Sequence, residues 1–176
     1  MNEHHQGQGQ ARTAEVSLSP GKGPASEDAL LVADRIKEIV MLCDRNHPLY
    51  ERVSSFSVAL YALGYFDGCD FMSFHDVLVF EAAEILRQEY TAVEAHEIAV
   101  DYRLSASRER YLLVIGDPQF PAHFALLVNN REERPYFSKL PMFGAGFDSL
   151  EELVAEFSGK EGVGAKDFHY YRKNRP

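Results

Sequence analysis

Cysteine is scarce in this 176-residue chain, with Cys43 and Cys69 the only two. Two are too few for a disulfide framework, and they fit a reducing compartment in which both are thiols. Long apolar runs are missing as well. The longest, YLLVI and FALLV, fall far short of the roughly 20 residues needed to span a bilayer as a helix. The opening MNEHHQGQGQ contains no apolar segment of the kind a secretory signal requires. A cytoplasmic location without membrane contact is the expectation. Phosphate-binding loops are also lacking: GVGAK and GAGF do not follow the G-x-x-x-x-G-K-[ST] spacing or its strand and helix flanks, and read as turn glycine. Metal-ligand spacing is equally thin. His75, Asp76 and Asp70 cluster on paper, but zinc sites favour more cysteine or a repeated ligand spacing. No metal and no other cofactor is expected.

Positive charge is in short supply. Eighteen Lys and Arg face 27 Asp and Glu, a formal net charge of −9. The distribution is uneven. Residues 1–26 balance and residues 166–176 carry a net +3, so residues 27–165 carry −12. An acidic body repels phosphate backbones and disfavours nucleic acid as a partner. It favours a protein with a basic surface and speeds the encounter.

What is present describes a folded chain. Hydrophobic residues make up 45% of the sequence, enough for a core and too many for a largely disordered chain. Residues 1–25, rich in Gly, Gln, Ser and Pro, read as a disordered arm ahead of a single globular domain over 26–176. Ser26, Glu27 and Asp28 suit a helix start, and Ala29, Val32, Ala33, Ile36, Val40 and Cys43 repeat at helical spacing. Asn46, His47 and Pro48 break that helix. A second carries Leu49, Val53, Phe56, Leu60 and Leu63 on one face and ends at Gly64. Ser73 and Asp76 suggest a capping box for a third, roughly 74–91, which is apolar almost all round and reads as the central helix. Its Glu81 and Glu84 leave one carboxylate pointing inward, with Arg87 as the natural partner.

The period then changes from 3.6 to 2. Ile98, Val100, Tyr102 and Leu104 alternate with polar residues as a half-buried strand, with a hairpin turn at SASRE. YLLVI and FALLV follow as interior strands, YFSKL as one nearer an edge, PMFGAG as a loop, a helix from Asp148 or Ser149, and a short aromatic strand DFHYY. Segregated helices and strands predict an α+β fold: three N-terminal helices, a mainly antiparallel sheet of about four to five strands, and one C-terminal helix packed on the sheet.

Two stretches invite a functional reading. In PYFSKLPMFGAGF the side chains of Tyr136, Phe137, Met142, Phe143 and Phe147 crowd an irregular segment; loops that carry aromatics and methionine form interface patches, or the same loop folds over the sheet and closes the core. The first expectation is therefore an acidic cytosolic protein-interaction module of the inhibitor, immunity or adaptor type, without catalysis. The second stretch pair is Cys69, in DGCDFMSF ahead of the third helix, and His123, which opens the FALLV strand. That order resembles the layout of papain-like, transglutaminase-like and arylamine N-acetyltransferase-like enzymes. The resemblance implies a cysteine-dependent hydrolase or transferase with Cys69 as nucleophile and His123 as base. Asp67 and Asp70 flank the thiol and oppose a thiolate, and the third-member position on the next strand reads Ser138. A fold of that descent that has lost activity would explain the serine. FDSLEELVAEF resembles the second helix of an SH2 domain, but YLLVIGD carries no arginine to anchor a phosphate.

Overall fold

The computed structural model describes residues 27–45, 52–66, 68–160 and 162–175. The expected arm, the Ser26 cap, the break at Asn46–Pro48 and Asp67 lie outside the described residues.

Helix α1 (Glu27–Leu42) opens with Glu27 and Asp28 at the positive end of its dipole and buries Ala29, Val32, Ala33, Ile36 and Ile39. Cys43 follows, fully buried, and burial raises its thiol pKa. Helix α2 (Ser55–Ala62) is buried from Phe56 to Ala62, and none of its eight residues is charged. It is the central helix of the fold. Ser54 caps it by accepting from the Ser57 N–H, and Gly64 ends it at φ +79°. The Tyr65 N–H returns to the Leu60 carbonyl and the Gly64 N–H to that of Tyr61, the paired bonds of a Schellman turn.

Helix α3 (Val79–Glu89) differs from expectation. It starts later, buries only Ala82, Ile85 and Leu86, and leaves Phe80 in solvent. Its capping bond is from the Leu78 N–H to Glu81 Oε2 at 2.7 Å, while Glu84 lies exposed and pairs with Arg87. Asp76 does not cap α3. Its Oδ1 accepts from the Ser54 N–H at 2.9 Å and the Ser57 hydroxyl at 2.5 Å, so it serves the start of α2.

The described residues form six strands, β1 (Tyr90–Val93), β2 (Tyr111–Asp117), β3 (Phe120–Leu127), β4 (Tyr136–Lys139), β5 (Ala145–Asp148) and β6 (Phe168–Lys173). They form one antiparallel sheet in the order β1-β6-β2-β3-β4-β5. The expected strand over 98–104 is absent. Ile98, Tyr102 and Leu104 are buried as foreseen, but Val100 is 90% exposed and single 3₁₀ turns occupy Ala95–Glu97 and Leu104–Ala106. The edge strand is instead β1, directly after α3. Strand β5 begins inside the expected PMFGAG loop and runs to Asp148, one of the two expected helix starts. It forms because Gly144, where a Cβ would stand 2.0 Å from the Asp44 carbonyl oxygen, lets the chain close on Asp44 and Arg45.

Helices cover both faces of this α+β sheet. The Phe56 ring of α2 meets Phe124 of β3, edge-on at 4.9 Å. The next residue back, His123, points to the other face, where its ring lies 4.5 Å from Phe157 of α4 (Leu150–Phe157). Helix α4 is capped by Ser149, and Asp148 beside it is held by Arg45 Nη2 at 2.6 Å. Among the described residues no helix is long and apolar enough to cross a membrane.

Candidate functional site

The structure does not bring Cys69 and His123 together. Cys69 is exposed in the loop between α2 and α3, its N–H donating to the Phe66 carbonyl at 3.3 Å. That loop belongs to the helices on the Phe124 face. Strand alternation sends His123 to the opposite face, where the imidazole is 1% exposed and its Nε2 finds no hydrogen-bond partner. Burial, assisted by the Lys139 charge, pushes its pKa down to about 3. An imidazole that weakly basic is ill-suited to general-base work near neutrality. Ser138 also lies fully buried, its hydroxyl without a partner.

The aromatic stretch is divided rather than gathered. Tyr136 and Phe137 are core residues of β4: the Tyr136 hydroxyl bonds that of Tyr170 at 2.6 Å, and Phe137 packs on Phe147 with ring centroids 5.2 Å apart. Phe147 is half-buried. Tyr136 and Phe137 are buried because β4 is an interior strand, flanked by β3 and β5. Only Met142 and Phe143 reach solvent, at 77% and 54% exposure. They are lifted by a turn closed from the Phe143 N–H to the Leu140 carbonyl, with Pro141 and then Met142 at φ 64° in its two central positions. Positive φ there favours glycine, so a methionine marks local strain.

A different surface emerges between α3 and the β2–β3 turn. A groove of about 560 Å³ is walled by Phe80, Leu86 and Tyr90 on one side and by Phe120 and Tyr171 on the other. Phe80 is 63% and Phe120 68% exposed, and Leu78 and Val79 continue the apolar strip. Glu84 and Arg87 stand on its rim as an ion pair. Asp117 is close enough for its carboxylate to add to the burial that raises the Tyr171 pKa. The signal for this surface was present in VLVF: four consecutive apolar residues at a helix start exceed what the core absorbs, and only Val77 of them is buried. Phe120 gave no such signal, because its exposure follows from a two-residue turn at Pro118 and Gln119.

No protein-family model matches the chain, and comparisons with curated proteins and with solved structures return no significant match.

Proposed function

We propose that the chain is a protein-interaction module of the inhibitor, immunity or adaptor kind, acting by contact rather than by catalysis. Its docking surface is the groove between α3 and the β2–β3 turn. The observation that supports this most is the pair of exposed phenylalanines, Phe80 and Phe120, facing one concave apolar surface. Large aromatics exposed around a groove are what an interface core is built from, and the charged rim then sets orientation. The partner in this reading is a protein segment with apolar side chains flanked by basic ones, since the body of the chain is acidic and Asp117 lies near Tyr171 of the groove, while Glu84 at the rim is balanced by Arg87. Nucleic acid has no place in it. The setting is the cytoplasm, where the exposed Cys69 thiol stays reduced.

Site-specific photocrosslinking in living cells tests the reading. A benzophenone side chain at position 120 should yield one discrete protein adduct, lost when Phe80 is changed to Asp, while the same group at Val100 yields none. A ladder of adducts common to both positions, or an adduct indifferent to Phe80→Asp, sinks the proposal. Phe80→Asp should leave the unfolding midpoint unchanged, since the ring is held by little of the core.

A further inference from the structure

A second concave surface has the opposite character. A groove of about 350 Å³ lies where α1, the loop before β2 and the end of β6 converge, and Arg35, Arg108, Arg110, Lys173 and Arg175 line it. Among the described residues five cations from three segments meet there, with Asp28 the one carboxylate of the lining, in a chain of net charge −9. Arg175 is paired with Glu109. Among the described residues Arg35, Arg108 and Lys173 make no ion pair. Arg110 is 8% exposed, and its Nη1 donates to the carbonyls of Ser107 at 2.7 Å and Glu109 at 2.8 Å. It is a fixed, buried guanidinium held by neutral acceptors. Gathering like charges around such a group is unfavourable unless an anion joins them.

The backbone is shaped to admit Arg35. A Cβ on Gly64 would stand 2.4 Å from Arg35 Nη1, so the guanidinium lies directly over the glycine that ends α2. A contiguous groove shares Lys173, Asn174 and Arg175 and adds Arg172 and Glu109, the partner of Arg175, extending a mainly basic surface along β6.

We infer that this groove binds a small polyanion of the phosphate class, such as a diphosphate or triphosphate ester. Arginine forks match phosphate oxygens two at a time, and three of the four cations not paired with a carboxylate are arginines. The volume sits at the small end of ligand sites. Leu31, Val32 and Leu63 supply an aliphatic wall, and among the described residues no aromatic lines the groove to stack a base. It shares no described lining residue with the apolar groove, although Tyr90 of that groove lies opposite Lys173 across β1 and β6, and anion binding here does not depend on a partner there.

Titration calorimetry of the full chain with inorganic pyrophosphate and tripolyphosphate, at constant ionic strength, decides the matter. The expected result is one site, tighter for tripolyphosphate, with affinity falling about tenfold or more in Arg108→Gln and in Lys173→Gln. Arg131→Gln, beside Asp101, should bind as the parent does. Arg108 is exposed and Lys173 only half-buried, so both variants should fold, checked by circular dichroism, even if Arg110→Met does not. Heat no greater than dilution overturns the inference. So does binding that survives both substitutions, or citrate binding as tightly as tripolyphosphate.

Discussion

His123 carries the clearest pH signature in the molecule. Its imidazole is enclosed, unpartnered at Nε2 and held near pKa 3, against about 6.5 in an unfolded chain. Below pH 6.5 the unfolded state takes up a proton that the folded state refuses. Stability is therefore complete above that pH and is lost as pH falls toward 3, by about 1.4 kcal/mol per unit. Urea unfolding at pH 7 and pH 5 should show a drop of about 2 kcal/mol that His123→Leu removes. The variant should be no less stable than the parent at pH 7, because leucine removes an unsatisfied buried polar atom. An unchanged pH dependence in the variant would show that the proton is taken up elsewhere. The strand that bears His123 was legible in the sequence, but its face was not. The β2–β3 register shifts between Ile115 and Gly116, where a Cβ would sit 2.9 Å from the Ala122 nitrogen. A one-residue slip exchanges the two faces of a strand, so a bulge marked only by a glycine decided whether His123 met the helices near Cys69 or Phe157.

Helix α2 is held at its start by a carboxylate from a distant loop. Asp76 accepts from the Ser54 N–H and from the Ser57 hydroxyl, which in turn accepts from the Val77 N–H at 2.8 Å. Asp76→Ala removes two bonds to a charged acceptor beside the fully buried Ser57 and should cost about 2–4 kcal/mol. Asp76→Asn, which keeps one acceptor oxygen, should cost less. Equal losses in thermal unfolding would argue that the loop rather than the cap is affected. Elements whose burial follows a local period were readable: α1 by its spacing of 3.6, and β2 and β3 by apolar runs bounded by turns. Those that depend on remote partners were not. Asp76 looked like the cap of the helix next to it, and AGFD looked like loop until Asp44 and Arg45 came across to meet it. Residues 98–104 misled because Ile98, Tyr102 and Leu104 are buried one at a time by turns, with the Tyr102 hydroxyl fastened to the Glu109 carbonyl.

The connectivity of the sheet sets how the molecule holds together. Strand β6 lies between β1 and β2, with Tyr90 opposite Lys173 and Leu113 opposite Tyr170. Removing residues 168–176 deletes an interior strand, frees β1 from the sheet and bares the edge of β2, whose Tyr111–Gly116 are all buried. Such a truncation should be insoluble, whereas removing 174–176 alone should leave a folded protein; soluble, cooperatively unfolding material from the longer deletion would refute that role for β6. The placement was not visible in DFHYY, which reads equally well as an edge strand, because strand order is a property of long-range pairing. It also has a temporal consequence. A ribosome delivers β2 and β3 well before β6, so the nascent hairpin waits with an open apolar edge for a strand still to be translated. The sheet can be finished only after the sequence through Lys173 has emerged, so the open edge of β2 needs shielding from other strands until then.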